Sequence, residues 1–326
     1  MSAAVPSTVE LLAGSRQLDM TAEGARYAVY HRPATGPEPA QPPAVLLHGV
    51  PETSACWRAL MPALARDRDV FAVDLKGLGE SQVEGPYDVP TLLDELADLL
   101  AQLGGGDRVD LVGHDWGGSL AASLGARLPG RIRRLAVISA PYRKVSYTHA
   151  PHVPFFALPL LPEAAFRVRG GAFVDDLFRL AWRQGSVRED VRAHYREAYS
   201  DPERVEAMLG YYRASVRHRV TAGAGKAGRT VLHAPSAIAG AVTSRGEMFK
   251  AATAGKANAE PRIHCERHLV VWGAEDPVMP ISVGEAVCRE MRDPFTMITL
   301  PKVGHWPHEE LPDYVVGAVA DFLRQS

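Results

Sequence analysis

The chain has 326 residues, 46% of them apolar and 23% charged, with 36 Lys and Arg against 38 Asp and Glu for a net charge of −2. That length allows one large domain or two modest ones, with enough apolar residues for a sizeable core. The composition excludes a disordered tail, a collagen and a disulfide-stapled mini-domain, and the near-neutral charge argues against a nucleic-acid partner.

The N-terminus has neither the basic start nor the apolar run of a signal peptide, and no stretch reaches the roughly 20 apolar residues that span a bilayer. The three cysteines, Cys56, Cys265 and Cys288, are scattered and form no CxxC pair. A disulfide framework or structural zinc site is therefore not expected, and a reducing, cytoplasmic setting fits.

Along the chain, residues 44–49, 70–75, 108–115 and 132–140 are short apolar runs rich in β-branched residues. They read as strands buried on both faces, as a parallel sheet requires. Residues 91–104 and 119–128 lie between them with leucines at helical spacing. From about 141 to 262 the alternation stops. Helical patterns occupy 174–184, 188–200 and 203–217, and 221–260 is rich in Gly, Ala and Lys and reads as a loop. Strand patterns return at 268–276 and 295–303, each followed by a helical one, 281–291 and 313–325.

This order predicts an α/β fold: a mostly parallel sheet flanked by helices, with a helical lid inserted between two strands. The core is expected to comprise 1–140 and 263–326, the lid 141–262. Charge divides along the same line: the lid holds 19 Lys and Arg and 11 Asp and Glu, a balance of +8, and the remainder 17 and 27, a balance of −10. Solvated helix faces account for this most simply; a basic lid drawing acidic substrates is the sharper reading.

Four motifs carry chemistry. Gly113-His114-Asp115-Trp116-Gly117 sits between a predicted strand and a helix and has the form of a nucleophile elbow, in which small residues permit a strained turn that lifts one side chain. The lifted residue here is Asp115. His48-Gly49-Val50-Pro51 follows an earlier strand, so the backbone N–H groups of Val50 and Trp116 are the expected oxyanion hole. Asp276 closes the strand segment 268–276, and His305 follows the last strand. Nucleophile, acid and histidine then occur in the order this strand–turn–helix arrangement uses.

These residues resemble the α/β-hydrolase superfamily, and within it the epoxide hydrolase and haloalkane dehalogenase branch, over about residues 25–325. Asp at the elbow has a chemical rationale. A serine displacing a leaving group at sp³ carbon would leave an ether. A carboxylate leaves an ester whose carbonyl belongs to the enzyme, and water activated by His305 can hydrolyse it. Asp276 would orient the imidazole. No cofactor or metal is called for; the partners are a small apolar epoxide-type substrate and water, and a homodimer is compatible with the sequence.

The resemblance further implies a ring-opening proton donor at Tyr212, in Gly210-Tyr211-Tyr212-Arg213. The position of the family's second lid tyrosine holds His152, three residues before Phe155-Phe156. His152, Phe155, Phe156 and Trp116 are therefore the expected substrate-facing residues, with Tyr142 and Tyr147 as nearby substitutes. A dehalogenase is the alternative. It would use Trp116 as a halide donor, but Val50 stands where the branch's second donor, Asn, is expected; Trp182 could replace it. A ligand-binding or biosynthetic tailoring protein of the same fold is the second alternative. His114 and His308 read as hydrogen-bond support, and His264, Cys265 and His268 as too few ligands for zinc.

Overall fold

A computed structural model describes residues 4–36, 41–105, 107–142, 146–148, 150–185, 187–224 and 262–325. Most of the 221–260 loop expected from sequence lies outside them. The chain begins with a short helix, α1 (Thr8–Leu11), and a hairpin of β1 (Arg16–Ala22) and β2 (Ala25–Arg32). The hairpin was not anticipated, because its outer strand is half-exposed and largely polar. Its turn is legible afterwards. Glu23 and Gly24 have φ of 48° and 83°, and Ala22 pairs with Ala25, which is the two-residue turn that needs positive φ at both positions.

The sheet continues through β3 (Ala44–Leu47), β4 (Val70–Val73), β5 (Val109–His114), β6 (Ile132–Ile138), β7 (Arg267–Gly273) and β8 (Phe295–Leu300). The eight strands lie in the order β1-β2-β4-β3-β5-β6-β7-β8. β1, β2 and β4 pair antiparallel and every other neighbour is parallel. Every residue of β3 and β5 is buried, as the continuous apolar runs demanded.

Helices cover the faces: α2 (Leu60–Leu64), α3 (Val89–Leu103) and α4 (Asp115–Arg127) early in the chain, and α10 (Ile281–Glu290), α11 (Pro307–Glu310) and α12 (Pro312–Arg324) late. α3 starts where the Asp88 side chain caps the Thr91 N–H and buries Leu92, Leu96, Leu99 and Leu100 along one face. At the amino end of the sheet, buried Asp110 accepts from Arg68 and Arg133, whose guanidinium groups also donate to the Leu323 carbonyl. This ties α12 to the strands.

Between β6 and β7 lie α5 (His152–Ala157), α6 (Leu161–Arg169), α7 (Ala172–Ala181), α8 (Glu189–Ala198) and α9 (Pro202–Ala224), with no strand among the described residues of this segment. They rest on loops that follow the strands. The Tyr211 hydroxyl donates to the Lys76 carbonyl at 2.7 Å, and the Tyr199 hydroxyl to the Glu52 carbonyl at 3.0 Å. Among the described residues no helix is long and apolar enough to cross a membrane.

Candidate active site

Asp115 sits where β5 turns into α4 and has φ of 48°, a conformation unusual for a residue with a side chain. The flanking glycines make the turn possible. A Cβ on Gly113 would lie 2.5 Å from the Gly117 carbonyl oxygen, and one on Gly117 would lie 2.3 Å from that of Leu47. The Gly117 N–H donates to the His48 carbonyl at 3.1 Å, which fixes the elbow against the loop after β3.

The Val50 N–H donates to Asp115 Oδ1 at 3.1 Å, and a hydrogen bond from the Trp116 amide also favours the charged carboxylate. On the other side, His305 Nε2 lies 3.5 Å from Asp115 Oδ2, and Nδ1 lies 2.8 Å from Asp276 Oδ2. Asp276 is held in turn by the Val278 and Met279 N–H groups, at 2.8 and 2.9 Å from Oδ1.

All of this is buried, so its charges interact strongly. Burial alone would raise the Asp115 pKa, but the hydrogen bond and charge of His305 outweigh it and leave the group below its ordinary value. Burial would lower the His305 pKa, but Asp276 and Asp115 push it up to about 10. Both shifts favour an ionised Asp115 beside a protonated His305.

Asp115 opens onto a cavity of about 720 Å³, whose walls include Trp116, Tyr142, His152, Val153, Tyr212 and Met279. Tyr212 is buried with its ring edge-on to Trp116 at 5.4 Å and to His152 at 6.1 Å. Burial, reinforced by the charge of Asp115, pushes the Tyr212 phenol upward. Burial pushes His152 down to about 4, with Asp115 acting the other way. Both are neutral hydrogen-bond donors near pH 7.

Residues 42–312 match the α/β-hydrolase fold family. The chain belongs to that family. It is 26% identical over 316 residues to Epoxide hydrolase 4 of Mus musculus, covering 91% of this chain and 77% of that protein. It is 25% identical over 315 residues to Epoxide hydrolase A of Mycobacterium tuberculosis, covering 88% and 91%. The crystal structure of Epoxide Hydrolase A from Mycobacterium thermoresistibile superposes with a TM-score of 0.71 at 20% identity, over 95% of this chain and 98% of that one.

In this α/β hydrolase the other residues singled out from the sequence fall in several places. His152, Trp116 and Tyr212 meet around the cavity beside Asp115. Phe155 and Phe156 are not among the residues that line it; Phe156 packs behind Tyr212, with ring centroids 5.0 Å apart, and Phe155 packs on Phe156. Trp182 is also absent from the lining; it packs edge-on to Phe178 and stacks with Trp306. Cys265 and His268 lie at the start of β7, at the sheet end opposite the site. Burial raises the Cys265 thiol to about 12 and lowers His268 to about 4, so this pair is uncharged at neutral pH.

Sequence reasoning did not find Glu52, the residue directly after Pro51. Its buried carboxylate accepts from the Gly49 N–H at 3.2 Å and pairs with His114 Nδ1 at 2.7 Å and His308 Nε2 at 3.0 Å. His114 Nε2 lies 2.9 Å from the His305 carbonyl. One carboxylate thus joins the loop after β3, the elbow and the segment carrying His305. Glu52, Cys56 and His308 also place possible metal-ligand atoms within 4.8 Å of one another. Burial and the Glu52 charge push the Cys56 thiol pKa up, however, away from the thiolate a metal requires.

Proposed function

We propose that the chain is an epoxide hydrolase, acting on an ether bond, with residues 141–262 as a cap over a core of 1–140 and 263–326. The observation that carries this reading is a carboxylate, rather than a hydroxyl, at the elbow, facing a cavity lined by Tyr212 and His152. The similarity to Epoxide hydrolase 4 and Epoxide hydrolase A supports it.

In the first step an Asp115 oxygen attacks one epoxide carbon, the carbon–oxygen bond opens, and Tyr212 and His152 hydrogen-bond the developing alkoxide. Tyr212 gives its proton to the alkoxide and is reprotonated from solvent, and His305, no longer held by the Asp115 charge, releases its proton to solvent. Alkylation removes the Asp115 charge, and with it one of the two interactions that hold His305 protonated.

In the second step neutral His305 takes a proton from water, whose oxygen attacks the ester carbonyl. The Val50 and Trp116 amides hold the resulting oxyanion, a contribution of about 3–4 kcal/mol per donor in comparable sites. On collapse the departing diol oxygen takes the proton back from His305. The proton left on the Asp115 carboxyl restores the original ion pair.

Halide release has less behind it. Among the tryptophans, Trp116 alone is found in the cavity lining, and Val50 offers no side-chain donor. A single turnover of an epoxide in heavy-oxygen water tests the proposal. The label is expected in the Asp115 carboxylate, with the diol carrying oxygen from the protein; label going straight into the diol would end this reading.

A further inference from the structure

Glu310, the last residue of α11, is 5% exposed and is unpaired with any Lys or Arg among the described residues. Its carboxylate is occupied by backbone donors instead. Gly304 N–H lies 3.0 and 2.9 Å from Oε1 and Oε2, and Trp306 N–H lies 3.3 Å from Oε1. Arg183 N–H and Gln184 N–H lie 2.9 and 3.1 Å from Oε2.

The first two donors flank His305, and the other two follow α7. The His305 N–H itself donates to the Ala181 carbonyl at 3.0 Å. A Cβ on Gly304 would sit 2.0 Å from the Ala181 carbonyl oxygen, so the two segments touch as closely as glycine allows. Trp306, whose ring packs edge-on to the His305 imidazole at 5.1 Å, also contacts Phe178 of α7 at 4.5 Å.

From this geometry we propose that Glu310 is a positioning residue for His305, locking the backbone on both sides of the base to the end of α7. Glu310 is not among the residues lining the cavity, so it reaches the site through the backbone that carries His305. Its kinetic consequence rests on the two-step reading above: ester hydrolysis uses His305 as a base, whereas attack by Asp115 does not. Loosening the clamp therefore slows the second step selectively.

A carboxylate is needed because four N–H groups converge on two acceptor oxygens. Glutamine would keep one oxygen and turn an amide N–H₂ toward the remaining donors. Aspartate would keep both oxygens on a shorter stem.

The test compares Glu310→Gln and Glu310→Asp with the parent in two measurements. Single-turnover kinetics with an epoxide is expected to show ester hydrolysis slowed about 10- to 100-fold in Glu310→Gln. Alkylation should be nearly unchanged, kcat and KM should fall together, and Glu310→Asp should recover part of the loss. The His305 Nδ1–H resonance, followed by NMR against pH without substrate, should titrate at lower pH in Glu310→Gln and move back toward the parent in Glu310→Asp. An unmoved His305 titration, or equal slowing of both steps, overturns the assignment. If the titration moves but the parent alkylates with no epoxide, the positioning role stands and the epoxide hydrolase reading falls.

Discussion

His305 Nε2 stands 3.5 Å from Asp115 Oδ2, and in the proposed cycle this pairing favours an ionised Asp115 but works against His305 as a base. An imidazolium cannot take a proton from water. The proposed cycle resolves the conflict because alkylation of Asp115 removes the charge that helps hold the His305 pKa at about 10. Asp115→Asn mimics that loss, so its His305 is expected to titrate below the parent value in an NMR pH series. In the parent, ester hydrolysis should accelerate with pH through an apparent pKa lower than about 10, while alkylation stays flat near neutrality. Hydrolysis titrating at or above that value would mean that the Asp115 charge does not control the base.

The same pair has a sign in stability. The folded pKa of His305 is raised above the unfolded value of about 6.5. The stabilisation it brings is therefore complete below about pH 6.5 and is lost as pH rises through about 10. The difference in melting temperature between the parent and His305→Gln should shrink over that range; a difference that grows would contradict the raised pKa.

His305→Gln should also trap the reaction halfway. Asp115 keeps its Val50 and Trp116 hydrogen bonds and can still be alkylated, but no base remains to activate water. Intact mass spectrometry after exposure to a panel of epoxides is expected to find one adduct of substrate mass, mapping to Asp115. An adduct elsewhere, or none with any epoxide, would count directly against the ester.

In the proposed cycle Tyr212 serves the opposite step. Its phenol is pushed upward by burial and by Asp115, so it stays protonated and can donate to an alkoxide. Tyr212→Phe is expected to slow alkylation about 100-fold and ester hydrolysis far less. His152→Phe should act in the same direction. Stopped-flow measurement of the two phases separates these effects, and slowing confined to hydrolysis would remove the ring-opening role.

Much of this arrangement was legible in the sequence, because the physics behind it is local. Parallel strands buried on both faces must be apolar throughout, which made β3 through β7 visible; residues 295–303 read as another such strand, but β8 lies at the sheet edge and is largely exposed. The elbow has glycine where a Cβ would strike backbone, so Gly113 and Gly117 mark the turn that presents Asp115. The hairpin β1–β2 lacked such a signal along its strands and showed only in Glu23-Gly24. Phe155 and Phe156 were placed toward substrate by resemblance, but the packing of α5 against α9 sets which way its rings point, and Phe156 lies behind Tyr212. Glu52 and Glu310 were hidden for another reason. Beside near neighbours, each gathers partners from distant segments, His114 and His308 for Glu52 and the Arg183 and Gln184 N–H groups for Glu310, and the local sequence does not encode that convergence.

Glu52 shows what such a hidden residue contributes. Burial opposes its charge, but His114 and His308 outweigh burial and hold its pKa well below the ordinary carboxylate range. Glu52→Gln leaves both histidines facing a neutral amide in a buried site and removes an acceptor from the Gly49 N–H. The expected loss is about 3 kcal/mol of stability, read from urea unfolding at pH 7. Because the folded pKa is depressed, the stabilisation is present above the unfolded value of about 4.3 and disappears as pH falls through the folded one. The gap between parent and variant should therefore close in acid. A gap that persists unchanged to the lowest pH at which both proteins fold would show that Glu52 stabilises the site by shape and not by charge.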